Sequence, residues 1–301
     1  MMKYEMPYRE LGSTGEKVSI IGVGGFHLGL PRSTADVVDL VREAIEQGIT
    51  FFDNSWDYHN GESERRLGEA LKDGYRDHIF LMTKVDGRTK EAARAQLDQS
   101  LQRLQVDHID LWQLHEVIRF DDIDRAFAHD GAMEAMVEAR DEGRVRYIGF
   151  TGHKDPGIHR TMLEQDFAWD TVQMPLNVLD AHFRSFEHEV LPVLVERGIG
   201  VIGMKPFSAG TVFDTNTVTA IEALHYAMNL PTDVVVTGME SRADLAQALQ
   251  AAMSFQPLAE EEVASILART APKAGNGVFE HYKTTERHDS TSMHPEWLSS
   301  A

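Results

Sequence analysis

Residues 78–115, HIFLMTKVDGRTKEAARAQLDQSLQRLQVDHIDLWQLH, read as one strand, one helix and a second strand. The ends, HIFLMTK (78–84) and HIDLWQLH (108–115), are short apolar and β-branched runs. Between them lies a segment of helical period that Thr89 can cap, with Glu91 and Asp98 along it. The same alternation recurs along the chain, with strands expected at 19–25, 49–54, 145–152, 171–175, 199–206 and 233–239. Ser33 and Thr34 can cap the first helix and Gly48 can end it, while Gly143 and Gly198 can stop the fourth and sixth. Met133, Met136 and Val137 fall at helical spacing, as on a helix lying against a sheet.

Eight such units without a sequence repeat predict an α/β fold, a closed (β/α)8 TIM barrel, in preference to an open doubly wound sheet. Residues 4–18 read as an N-terminal β-hairpin turning at Ser13 to Gly15, and the chain after about residue 255 as a C-terminal tail of one helix and a polar segment. No linker divides the chain, so 1–301 is read as a single barrel domain. The longest irregular connection is expected at 116–130, EVIRFDDIDRAFAHD, a length that marks a functional or disordered loop.

Composition narrows the function. The chain has 301 residues and a formal charge of −19, so its average field repels nucleic acid and anionic membranes. Any phosphate-bearing ligand must be held locally. Cysteine is absent, which excludes disulfides, thiolate metal sites and a cysteine nucleophile, and leaves redox chemistry dependent on a borrowed cofactor. The opening MMKYEMPYRELG lacks a long apolar core and no run reaches the length of a membrane span, so a soluble cytoplasmic protein is expected. His182 and His188 lie six apart, off the spacing that places two ligands on one helix face, and no metal is expected.

In such a barrel the reacting groups collect at the C-terminal ends of strands. The second strand ends in Asp53, with Tyr58 in the loop that follows; the third ends in Lys84 and the fourth in His115. A phenol, with an ordinary pKa of about 10, is a poor acid at neutral pH unless a cation sits beside it. Lys84 can be that cation and Asp53 its countercharge, while His115 can hydrogen-bond the reacting oxygen. Together they can deliver a proton to a carbonyl oxygen while something else attacks the carbon. His27 and Trp56, after strands one and two, are placed to line a substrate pocket. The glycines of GVGG (22–25) lack the third glycine of a dinucleotide fingerprint and are read as letting the first strand turn at the barrel mouth.

Across nearly its whole length the sequence resembles the aldo-keto reductases, through YRELGSTGEKVSIIGVGG, DNSWDYHNGESERRLGEAL, LMTKV, DHIDLWQLH, RYIGFTGH, VQMPLN and GVIGMKPFSAG. The resemblance implies a tetrad of Asp53, Tyr58, Lys84 and His115, hydride transfer from a nicotinamide cofactor, and Tyr58 as proton donor to a small carbonyl substrate. It also implies carboxamide contacts at Thr151 and Gln173, although the usual Ser-Asn pair here reads Thr151-Gly152. Met204 stands where an aromatic often covers the nicotinamide, and His153 stands next to the missing amide. For the phosphates, Lys205, Ser208 and Gly210 follow strand seven, and Ser241 and Arg242 follow strand eight. The family favours NADP(H). Glu240 and Asp244 would repel a 2′-phosphate, so Arg242 is expected to carry that preference, with NAD(H) left open. A cofactor-sensing regulatory subunit on the same fold is the alternative. A metal-dependent barrel hydrolase fits less well, because it lacks a His-x-His pair at the first strand end.

Overall fold

The computed structural model describes residues 5–30 and 32–299; Tyr4, the first residue of the expected hairpin, lies outside them. The hairpin is β1 (Tyr8–Glu10) paired antiparallel with β2 (Lys17–Ser19). The barrel strands are β3 (Ile21–Gly24), β4 (Phe51–Asp53), β5 (Phe80–Val85) and β6 (Ile109–Leu114). They continue with β7 (Val145–Thr151), β8 (Thr171–Pro175), β9 (Gly200–Met204) and β10 (Val234–Gly238). Each pairs in parallel with the next and β10 closes on β3, giving an eight-stranded closed barrel.

The principal outer helices are α1 (Thr34–Glu46), α2 (Glu62–Ala70), α3 (Lys90–Leu104), α4 (Phe120–Phe127), α5 (Ala132–Asp141) and α6 (Pro156–Leu163). After them come α7 (Phe186–Glu189), α8 (Leu191–Arg197), α9 (Ala220–Asn229), α10 (Arg242–Ser254) and α11 (Glu260–Ala274). Thr89 caps α3 as expected, its side chain accepting from the Ala92 amide at 3.2 Å. Ser33 stands at the N-cap of α1 without a side-chain capping bond. No described helix is long and apolar enough to cross a membrane.

The apolar surface sorts into two main layers. Val37, Leu97, Met136 and Ile158 belong to the cluster between strands and helices. Phe51, Phe80, Met82, Leu111, Ile202 and Val234 belong to a second, to which the hairpin region adds Leu11 and Val18. The hairpin therefore stops one end of the barrel. It is tied there by the Gly12 amide donating to Asp233 at 2.9 Å and the Ser13 amide donating to Gly198 at 3.0 Å. Leu11 is fully buried, so Leu11→Ala leaves a cavity in that stopper. It should cost about 3 kcal/mol, read from urea unfolding.

Two expectations change. The 116–130 stretch is not an irregular loop, because α4 occupies its middle. Asp122 accepts from the backbone amides of Ile118 and Arg119 at 3.2 and 3.0 Å, and buried Ile123 and Ala126 fix the inner face. The helix has only 8 residues, too few for its period to stand out in sequence. The tail is also more than one helix and a polar segment. After α11 it makes further short helical turns, at His281–Thr284, Ser290–Met293 and Pro295–Leu298. These cross the barrel mouth, where the Leu298 carbonyl accepts from the Arg88 and Thr89 amides.

Candidate active site

The strand ends bring the four expected residues together. Lys84 is buried; its Nζ donates to Asp53 Oδ1, to the Asn54 carbonyl at 2.7 Å and to the Tyr58 hydroxyl at 3.2 Å. Tyr58 is aimed by a tight loop in which His59, Asn60 and Gly61 all have positive φ, a run in which Asn and Gly ease the steric cost. His115 lies across from Tyr58, its ring perpendicular and its centroid 6.1 Å away. Gln173 Nε2 donates to the other Asp53 oxygen at 2.9 Å. Asp53 thus bridges the lysine and the glutamine.

Burial sets the electrostatics. It pushes the Tyr58 phenol well above its ordinary range, and the Asp53, Asp57, Glu116 and Asp86 carboxylates push it further. This departs from the expectation that Lys84 governs the free enzyme's phenol. Tyr58 is thereby held protonated, with the Lys84 ammonium beside its oxygen. Burial also lowers His115 to about 3, so its ring is neutral in the working range.

Three acidic residues around His115 were missed in the sequence. His115 Nδ1 lies 2.9 Å from Asp86 Oδ1 and 3.8 Å from Asp57 Oδ1. Burial raises Asp86 to about 7 and Glu116 to about 8. Asp57, Asp86 and His115 bring one potential ligand atom each within 4.8 Å of one another. The Lys84 and Arg88 cations act on the same Asp86 carboxylate, which favours a charge-balanced proton cluster over a dication. Asp86 escaped notice because the third strand was ended at Lys84 and runs to Val85. Asp57 had a signal, standing directly before Tyr58. Phe26, half exposed, packs edge-on against Tyr58 at 5.5 Å and was also missed.

The expected cofactor residues fall along the mouth with mixed freedom. Thr151 ends β7 and Gln173 lies in β8, paired in register. Gln173 Oε1 is buried with no partner among the described residues, an acceptor suited to a carboxamide NH2. No side chain fits at Gly152, where a Cβ would strike the Val117 carbonyl and meet His159 Cε1 at 2.9 Å. His153 does not fill that role either: it is buried, within 3.5 Å of Glu116 and 3.4 Å of Asp289. Met204 ends β9 and is partly exposed. Lys205 Nζ lies 5.5 Å from the centre of the tail's Tyr282 ring, and Gly210 is exposed at φ +92°. The Ser208 hydroxyl is committed to the tail, donating to the Phe279 carbonyl at 2.6 Å.

After strand eight, Ser241 caps α10 in a capping box with Asp244. The Asp244 carboxylate takes the amides of Glu240 and Ser241 at 3.0 and 2.9 Å. Arg242 is exposed but pairs with Glu43 at 2.8 Å. It is not the sole cation there, since Arg32 donates to the Glu240 carbonyl. His27 binds the Glu240 carboxylate at 2.7 Å, which ties it to this segment. Trp56 sits at the opposite side, its Nε1 donating to Gln99 at 2.8 Å and its ring edge-on to the tail's Trp297 at 5.5 Å.

The closed parallel barrel thus gathers Asp53, Tyr58, Lys84 and His115 at one end of its strands. Residues 20–222 match the model of the aldo/keto reductase family, and the chain belongs to that family. L-galactose dehydrogenase of Arabidopsis thaliana is 34% identical over 232 residues, covering 70% of this chain and 67% of that protein. Among solved structures, the holo form of aldo-keto reductase AKR11C1 from Bacillus halodurans superposes with a TM-score of 0.75 at 26% identity, over 88% of this chain and 96% of that one. The thermostable aldo-keto reductase Tm1743, in complex with the inhibitor epalrestat, shares the fold with a TM-score of 0.69 at 22% identity, over 88% and 100%. Aldo-keto reductases use nicotinamide cofactors, and the chain is accordingly an oxidoreductase.

Proposed function

We propose that this protein interconverts a small carbonyl compound and its alcohol, using NAD(P)(H) and moving the proton at the reacting oxygen through Tyr58. The observation that carries the reading is the Lys84 ammonium, held by Asp53 and 3.2 Å from the Tyr58 hydroxyl. A bound nicotinamide supplies or accepts the hydride. The chain's own residues do the rest. Tyr58 gives its proton to the carbonyl oxygen in reduction, Lys84 stabilises the resulting phenolate, and His115 orients that oxygen by a hydrogen bond. Gln173 and Thr151 would hold the carboxamide, Met204 would cover the ring, and the loop at Lys205 and Gly210 would take the phosphates, the Ser208 hydroxyl staying with the Phe279 carbonyl.

The substrate class follows from the wall chemistry. Asp57, Asp86 and Glu116 line the site with carboxyl groups that burial raises, Asp86 to about 7 and Glu116 to about 8, so they can both donate to and accept from substrate hydroxyls. Neutral polyhydroxylated molecules such as aldoses suit it, in keeping with the L-galactose dehydrogenase relative.

The surroundings of Arg242 turn the cofactor preference from the NADP(H) expectation toward NAD(H). Glu43 pairs with its guanidinium, and Asp244 takes the amides that would otherwise meet a phosphate. Glu240 is then placed to accept from a ribose hydroxyl. Wild type should show a kcat/KM with NADH at least roughly tenfold above that with NADPH, about 1.4 kcal/mol. Arg242→Ala should change the two cofactors little. A preference for NADPH that Arg242→Ala selectively abolishes would restore the Arg242 contact instead.

A further inference from the structure

Resting on the oxidoreductase reading, we propose that Asp86 sets which tautomer His115 presents to the reacting oxygen, making the pair a one-proton switch between donating to a carbonyl and accepting from an alcohol. A neutral imidazole carries one N–H. Nδ1 is turned to Asp86 Oδ1 at 2.9 Å, which leaves Nε2 as the nitrogen that can address a substrate. Nε2 bonds to no described residue, and it is not among the sealed polar atoms that lack a partner.

The two states of Asp86 impose opposite polarity. An ionised carboxylate only accepts, so the hydrogen must sit on Nδ1 and Nε2 offers a lone pair to an alcohol O–H. A protonated carboxyl donates to Nδ1, so the ring hydrogen moves to Nε2 and donates to a carbonyl. The third state, an imidazolium, is suppressed by burial, which holds His115 near 3. Burial likewise brings Asp86 to about 7, which places the switch in the working range.

The charges facing the pair come from every strand end around it. Lys84 and Arg88, from β5 and its loop, favour the ionised carboxylate. Asp53 at the end of β4 and Asp57 in the next loop act on the ring, and Tyr58 lies across from it. Glu116 follows β6, His153 follows β7, and Asp289 reaches in from the tail to both. Asp57 is 3.8 Å from Nδ1, beyond a hydrogen bond, and Asp86 Oδ2 has no hydrogen-bond partner among the described residues, so no bond at Oδ2 fixes the Asp86 proton. Asp86 is a positioning residue: it acts through His115 and takes no bond to the substrate.

The switch is read without turnover by 15N NMR of histidine-labelled protein, the His115 signals being assigned by their loss in His115→Gln. Wild type should pass from the Nε2–H tautomer to the Nδ1–H tautomer between about pH 5.5 and about pH 8.5, with a midpoint near neutrality. Asp86→Asn should hold one tautomer ratio across that range, and Asp57→Asn should keep the switch. In kinetics, Asp86→Asn should flatten the neutral break in kcat for both directions and lower its better direction by roughly tenfold, the scale of one hydrogen bond. A single tautomer throughout in wild type, or a midpoint that survives in Asp86→Asn, overturns the proposal. Because the tautomer is measured directly, a chain that switches but never turns over would overturn the carbonyl–alcohol reading and leave only the Asp86–His115 tautomer coupling standing.

Discussion

Tyr58→Phe should lower turnover by roughly two to four orders of magnitude while leaving cofactor affinity near that of wild type. Only a hydroxyl is deleted, and the described contacts that aim the ring survive: the edge-on packing of Phe26 at 5.5 Å and the turn through His59, Asn60 and Gly61. His115 is neutral, with burial lowering it to about 3, so it can orient an oxygen without giving up a second proton. The pH course follows from the sign of the shift. The phenol's pKa is raised well above its ordinary value, so Tyr58 stays protonated throughout the neutral range, and its own titration should impose no loss of reduction there. Steady-state kinetics with fluorescence titration of the reduced nicotinamide separate the two effects. Substantial activity in the variant would remove Tyr58 from the reaction.

Lys84→Met should be equally inactive for a different reason. The phenolate left after proton transfer would face Asp53, Asp57 and Asp86 with no cation between them. The variant also leaves Asp53 buried with only Gln173 Nε2 as a side-chain donor, so a stability loss of about 3 kcal/mol is expected alongside the kinetic one. Circular dichroism shows whether the barrel persists. Asp53→Asn should be milder, because Lys84 keeps the Asn54 carbonyl and the Tyr58 hydroxyl as partners. A folded Lys84→Met enzyme with full activity would exclude the ammonium from the mechanism.

The barrel was legible because strand and helix periods differ and alternate eight times, and the tetrad because its members stand at or just beyond strand ends. What remained hidden depended on distance across the mouth. Asp86 and His115 are 29 residues apart, and their 2.9 Å contact exists only once β5 and β6 are paired. Arg242 read as a free cation because Glu43 lies 199 residues away on α1. Ser208 read as a phosphate contact because nothing local indicates that the Phe279 carbonyl returns to its hydroxyl. Helix α4 was too short for its period to outweigh the polar look of its sequence. For Asp86, Arg242 and Ser208 the partner comes from a distant part of the chain, whereas α4 is held by local contacts of Asp122.

On the proposed reading, the Asp53, Lys84 and Tyr58 arrangement performs nicotinamide-linked carbonyl and alcohol chemistry. The most direct measurement is the absorbance of the nicotinamide when purified protein is mixed with NAD+ or NADP+ and a panel of neutral aldoses including L-galactose, and with the reduced cofactors and simple aldehydes. Wild type should reduce or oxidise the cofactor with at least one member of the panel, and Tyr58→Phe should not. Tight cofactor binding with no turnover by wild type across the whole panel would contradict the claim and make this chain a cofactor-sensing protein on a reductase fold.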